Sequence, residues 1–429
     1  MSAPELTGLI SLSEKGLELG LNSQNNILPA NLYKIIDDIL VIGTDTAMKI
    51  YKIDFNQNFK TTLIWEKEYG RIRQLEIEKN SEEILIGCLL HTKELKLHSL
   101  LSKSTEIVQL IATYENVTSI KLSNQLLFVQ FGRELVISHI LGGELLERLR
   151  IQAVNEYFVG KGVFVVWTGQ IVTIYKDHLN KQVTQRSMPP PANSVVSQIM
   201  TFTFAQVDSL EVKISPKGNF ILICSTSTAS GSYFGFKELY LFNLLEKNSK
   251  KVQLQNINFF EFVKGGYAVS YGVQPAKAGI FFYSGESKKI FKEGPRNRIY
   301  FNSEGNYVCF AGFDNMNGMI EIFNISSGKM VGSMRMLGAS RIIWSPCNRF
   351  FAVAITNALK VENKIVVYDY FGREISRQDF KSLMDCEWIG KIESFKELVA
   401  PKEPVFYKEE KAYVPPSFGT LKRGTGKRN

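Results

Sequence analysis

The sequence predicts an all-β chain closed into a single β-propeller of nine blades, with eight as the competing count. Three observations carry this. A turn-and-strand motif recurs at a step of about 44 residues, a second strand motif follows each copy, and the chain is rich in strand-forming aromatics, with 29 Phe and 17 Tyr. The first motif is clearest in ISPKGNFILI (214–223), FNSEGNYVCF (301–310) and WSPCNRFFAV (344–353). Each has a large apolar residue, a four-residue polar turn with Ser or Asn first and Gly or Asn fourth, and an aromatic opening a strand. Ser, Asn and Gly are the residues that tight turns favour. Phe301 and Trp344 lie 43 residues apart, and Ile214 and Phe301 lie 87 apart, about two steps.

Weaker copies fill the remaining steps, in KIIDDILVIG from Lys34 and in segments starting at Ile77, Leu122, Val159 and Phe262. The second motif is a short apolar strand ending in an aromatic or His. It appears as MKIYKID, LKLHS, ELVISHI, IVTIYKD, ELYLFNL, GIFFYSG, MIEIFNI and KIVVYDY. Several short strands per unit of this length is the pattern of a propeller blade, which buries its two faces only against its neighbours. Eight full units run from Ile36. The short N-terminal piece LTGLISLSEKGLELGL and the segment from Asp385 to Lys396 are each too small for a blade, and together complete a ninth that closes the ring. In CEWIG, Trp388 falls 44 residues after Trp344. The Trp-Asp dipeptide of WD repeats is absent, so the repeat is WD-like in architecture alone. A two-sheet sandwich is the alternative, and it would need eight strand pairs to keep this step by accident.

The domain expectation is a propeller over residues 1–400 and an extended basic tail over 401–429. The tail has little apolar periodicity, several Pro and Gly, and a tip carrying Lys422, Arg423, Lys427 and Arg428. SMPPPANSV, around Pro189 to Pro191, is read as an inter-blade loop, because proline breaks helix and central strand alike.

Composition narrows the functional classes. A net charge of +9 and a pI near 9.1 permit an acidic partner such as RNA without requiring one. The five cysteines fall at no CxxC spacing and read as small buried hydrophobes in a reducing compartment. No basic-then-apolar leader opens the chain, and no apolar run approaches the ~18 residues that span a bilayer, so a cytoplasmic protein without membrane contact is expected. His91 and His98 are seven apart, no zinc spacing, and read as surface or blade-edge residues. FDNMNG (313–318) fails as a calcium loop at Met316, and reads as a hairpin turn at Asn317-Gly318 helped by Asp314. STSTASGSYFG (225–235) runs into a strand, not a helix, and reads as a long hairpin loop rather than a phosphate cradle. No cluster of acids, histidines or metal ligands suggests an enzyme, a metal or a cofactor.

One charged turn stands out. KEGPRNRIYF (292–301) places Gly294-Pro295 between blades and starts the next blade at Ile299. The plain reading is a turn with solvated Arg side chains. The sharper one is that Lys292, Arg296 and Arg298 line a rim of the ring and meet an acidic partner, Arg being suited to planar phosphate contact. A third is that Arg298 is buried in an ion pair between blades.

The chain resembles the eukaryotic translation initiation factor 2A family, most strongly from Ser225 to Glu374. YGVQPAKAGIFFY (271–283), GPRN (294–297), AGF (311–313), NGMIEIFN (317–324), LKVENKIVVYDYFG (359–372) and, past the ring, AYVPP (412–416) resemble family segments in the same order. Up to about Pro190 the similarity is architectural. The resemblance implies a nine-bladed propeller, binding to the small ribosomal subunit through its rRNA and proteins, and a part in initiation that includes recruiting initiator methionyl-tRNA without GTP, with mRNA as a further partner. It supports Lys277, Lys292, Arg296, Arg298, Lys422, Arg423, Lys427 and Arg428 as ribosome or RNA contacts, on a protein monomeric when free. Similar proteins carry a long charged extension after the AYxPP peptide, whereas this sequence reaches Asn429 soon after it. Contacts made through that extension are not expected of these residues. The b subunit of initiation factor 3, similar in architecture, has an RNA recognition motif ahead of its propeller, whereas here the blades begin almost at once. The competing functional reading is a propeller scaffold for a multiprotein complex without RNA contact.

Overall fold

Each recurring turn closes a hairpin, and the turn residues show why. In the computed structural model, Ser215 Oγ accepts the Phe220 N–H at 3.0 Å, Asn302 Oδ1 accepts that of Tyr307 at 3.0 Å, and Ser345 Oγ accepts that of Phe350 at 3.2 Å. The first turn residue thus satisfies the amide of the strand's opening aromatic. The fourth residues, Gly218, Gly305 and Asn348, all have φ between 60° and 71°, the left-handed region open to Gly and Asn. The structure describes residues 8–20, 27–57, 59–80, 83–101, 107–141, 143–178, 195–228, 235–358, 362–390, 398–399, 401 and 405–407.

These hairpins belong to nine four-stranded antiparallel sheets. Blades 1 to 8 occupy residues 32–68, 72–114, 119–151, 154–203, 209–251, 257–294, 298–335 and 341–380. Strands a to d run in order from the ring's axis outward, and the a strands of successive blades contact one another. The a–b and c–d turns therefore lie on one face of the ring, here the lower. The b–c and d–a turns lie on the upper face. The ninth blade is composite, as expected: Leu383–Trp388 is its a strand, and Leu9–Ser13, Gly16–Leu19 and Ile27–Leu28 are its b, c and d strands. Closure is in register from Leu9↔Trp388, with a bulge at Leu12/Ser13. Leu9–Ser13 is buried throughout, and Ile10 and Leu12 each contribute about 1.5–3 kcal/mol by leaving water. Both the eight-blade count and the sandwich are set aside by this topology.

Burial follows strand position. Strand b is covered on both faces, as in Tyr307–Ala311 and Phe350–Ile355, which explains its continuous apolar run. Strand d is half exposed, as in Asn248–Lys251. Trp344 and Trp388, one blade apart on a strands, each donate their indole N–H to the preceding blade, to Tyr300 O at 3.2 Å and Ile343 O at 3.0 Å. The spacing of the two tryptophans thereby has a mechanical cause. All five cysteines are buried and free. Among the described residues no helix is long and apolar enough to cross a membrane.

The segment after the ring folds back on it. Leu398 N–H donates to Tyr370 Oη at 2.6 Å, and Val405 to Tyr407 pair with Ser333 on the outer strand of blade 7, with bonds of 2.9 and 3.0 Å. The peptide AYVPP and the proline run at 189–191 lie outside the described residues, as does the middle of the 225–235 loop; the strands flanking the proline run, Ile171–Asp177 and Val196–Thr203, pair with each other, so it joins strands c and d of blade 4 and is not the expected inter-blade loop. The flanks of that loop pair Ser227 with Phe236, the expected hairpin.

Candidate nucleic-acid interface

The Gly294–Asn297 loop is the d–a connection between blades 6 and 7, on the upper face. Its Arg296 was expected on the rim, and the structure corrects this. The side chain is fully buried. Its Nε donates to Glu321 Oε2 at 2.9 Å, and its guanidinium lies over the rings of Phe310 and Phe323, 4.5 and 5.3 Å from their centroids. Burial pulls its pKa below the ordinary value, with Glu321 opposing. Both terminal nitrogens lack a hydrogen-bond partner, so the aromatic faces supply what compensation they receive. Gly294 is needed for the pair, because an added methyl there would lie 2.7 Å from Glu321 Oε2 and 3.0 Å from Arg296 Nε.

The loop is also clamped through its backbone. Gln274 accepts the Arg296 N–H at 3.2 Å and donates to Arg296 O at 2.8 Å. Asn297 accepts the Phe313 N–H at 2.9 Å and donates to Phe313 O at 3.0 Å. Four segments singled out in the sequence, YGVQPAK, GPRN, AGF and NGMIEIFN, therefore meet as one lock between blades 6 and 7. Sequence reasoning missed Gln274, Asn297 and Glu321 as its working residues, since each lies in a different strand or turn and only pairing across blades brings them together.

Arg298 is a third exposed and pairs with Asp314 at 2.9 Å, within blade 7 rather than between blades. Asp314 is therefore engaged with Arg298 instead of supporting the Asn317-Gly318 turn, although Gly318 does take a left-handed φ of 72°. Lys277 is half exposed, 3.5 Å from Glu293, and both border a cavity of about 450 Å³ with Asn256 and Tyr271. Lys292 is exposed, without a carboxylate partner among the described residues. Lys422, Arg423, Lys427 and Arg428 lie outside the described residues.

The histidines also need correction. His98, expected at a surface or edge, is buried in a c strand. Its Nε2 shares a hydrogen bond of 2.6 Å with Tyr69 Oη, and its ring packs edge-on to Trp65. Burial, with Lys67 and Lys96 nearby, pushes its pKa down to about 4. His139 is buried too, with no partner for either ring nitrogen, and burial with Arg148 nearby likewise pushes it down to about 4. Among the described residues no group of three His, Cys, Asp or Glu could hold a metal ion.

Comparison with known proteins places these features in a family context. Residues 202–386, which span blades 5 to 8 and the start of the closing strand, match the family model described as eukaryotic translation initiation factor eIF2A. Eukaryotic translation initiation factor 2A of Drosophila melanogaster is 28% identical over 244 residues, 52% of this chain and 38% of that protein. That of Saccharomyces cerevisiae is 28% identical over 209 residues, 45% of this chain and 33% of the relative. The chain thus matches between a third and two fifths of the length of these relatives. A solved structure described as the crystal structure of the eukaryotic initiation factor superposes with a TM-score of 0.67. It covers 89% of this chain and 98% of its own at 17% identity, which is a likeness of fold.

Proposed function

This chain belongs to the eukaryotic translation initiation factor 2A family, and from that premise we propose that it is a non-enzymatic, cytoplasmic initiation factor that binds the small ribosomal subunit through the surface of its ring. Recruitment of initiator methionyl-tRNA without GTP, and contact with mRNA, belong to the same proposal. The observation that carries it is the match of residues 202–386, because it covers the blades whose signature segments interlock around Arg296. The ring acts as a rigid, monomeric platform, and charge on its surface supplies the attraction to rRNA.

Salt dependence tests the proposal. If about four phosphates are engaged, the slope of log affinity against log salt is near −3, and affinity falls about fifty-fold between 50 and 200 mM. Co-sedimentation with purified small subunits across that range reads it directly. Tight binding indifferent to salt, or none at 50 mM, would remove the reading.

One observation favours the scaffold alternative. The arginines of the upper loop are paired internally, Arg296 with Glu321 and Arg298 with Asp314, so they offer little free charge to RNA. Under that alternative the partners recovered with the protein resist nuclease.

A further inference from the structure

The lower face of blades 4 to 7 differs in how its charge is disposed. Consecutive a–b turns each carry one exposed lysine, Lys161 in blade 4, Lys217 in blade 5 and Lys264 in blade 6. The turns abut one another. A methyl added at Gly218 would lie 2.5 Å from Lys161 O, and one at Gly305 in the blade 7 turn 3.6 Å from Lys264 Cβ. Lysines on the d strands repeat the step, each reaching the c–d turn of the next blade. Lys250 of blade 5 donates to Ser284 O of blade 6, and Lys289 of blade 6 reaches Ser326 O of blade 7 at 3.3 Å. Neither these two nor the three turn lysines form an ion pair among the described residues, so no carboxylate there neutralises any of the five. Among the described residues, three exposed carboxylates share the arc, Glu246, Glu286 and Glu304, against the five lysines. The corresponding a–b turn of blade 1 is acidic, Asp37-Asp38, with Asp37 paired to Lys79 of blade 2.

We infer that this lower-face arc is an RNA-docking surface that follows a phosphate backbone with one lysine per blade step. Two features point to RNA rather than an acidic protein. The cations are all lysines, compact charges that read phosphate without base identity, whereas protein interfaces are depleted in lysine and enriched in arginine and aromatics. Their spacing is set by the blade repeat, which gives a curved row rather than a cluster. The assignment to the ribosome rests on the function proposed above, while the assignment to RNA stands on this face alone.

The test uses the full chain, purified small subunits, and a fluorescein-labelled RNA duplex of random sequence. K161E/K217E/K264E is compared with wild type and with K15E/K60E/K381E, an equal change of net charge at exposed lysines elsewhere. Thermal midpoints confirm that all three fold. The lower-face variant is expected to lose at least about tenfold in duplex and subunit affinity, with a salt slope shallower by about 2, and the control much less. Equal losses in the two variants, or none in the lower-face variant while wild type still binds subunits, would overturn the arc and leave the ribosomal function standing. Lysine-dependent binding to the duplex but not to subunits would keep the arc and overturn that function. Lysine-dependent binding to subunits that excess duplex fails to compete would assign the face to ribosomal protein and overturn the RNA inference.

Discussion

The two faces of blades 5 to 7 use cations in opposite ways. On the upper face, Arg296 is enclosed with Glu321 and two phenylalanine rings, Arg298 is held by Asp314, and Lys277 sits beside Glu293. On the lower face, Lys217, Lys250, Lys264 and Lys289 meet no carboxylate among the described residues. The stretch from Ser209 to Arg335 contains fifteen Lys and Arg against nine Asp and Glu. Pairing consumes much of the upper-face charge, so the excess emerges below. A cation's place in a signature segment is therefore no guide to its availability. In the Gly-Pro-Arg-Asn loop the recognisable residues hold blades together, whereas Lys161, Lys217 and Lys264 face solvent from turns with no motif beyond the repeat.

The largest effect that tests this contrast lies in the lock. Glu321→Ala leaves the Arg296 guanidinium buried and unpaired, which costs about 3–5 kcal/mol. Arg296→Met with Glu321→Leu removes both charges while keeping bulk against Phe310, and is expected to cost less than Glu321→Ala. Urea denaturation reads both. If Glu321→Ala matched wild type, the pair would not be structural and Arg296 would return as a candidate contact.

A second, intermediate effect comes from acid, which places new charge in the interior. An unfolded imidazole takes up its proton near pH 6.5, whereas His98 and His139 resist it to about 4. The stability present above pH 6.5 is therefore withdrawn as pH falls from 6.5 towards 4, because over that window the unfolded chain binds protons that the fold excludes. Melting midpoints at pH 7.5, 5.5 and 4.5 should fall in that order. His139→Leu should flatten the trend at little cost at pH 7.5, since both ring nitrogens lack partners. The same trend in wild type and variant would clear His139 of the effect.

The ring was legible in sequence where one residue type has one mechanical task. Ser215, Asn302 and Ser345 each cap the strand that follows, Gly218, Gly305 and Asn348 each take a left-handed φ, and the b strands are buried on both faces. Trp388 was readable as the closing strand because it repeats the place of Trp344. The d strands left no such trace. Asn248–Lys251 and Glu374–Phe380 are half exposed and largely polar, so their identity comes from pairing with strand c. The site was legible only as a turn. Nothing local to Arg296 reveals that Glu321, 25 residues on in strand c, will enclose it, or that Gln274 will hold its backbone. His98 was misplaced for a related reason, since its burial depends on Trp65 and Tyr69 at the neighbouring blade's outer strand.

The smallest expected effect is the most discriminating between the faces. Lys277→Ala removes an exposed pair with Glu293 at 3.5 Å, and such pairs contribute less than about 1 kcal/mol. Its melting midpoint should match wild type. Subunit affinity then isolates the upper face from any question of folding. If charge is available only below, Lys277→Ala binds as wild type does, because Glu293 already neutralises the position it vacates. A severalfold loss would mean that Lys277 exchanges Glu293 for phosphate on binding, and that the neighbouring exposed Lys292 works beside it. The division between a structural and a binding face would then fail at blade 6, whose upper rim carries Lys292, a cation without a carboxylate partner among the described residues.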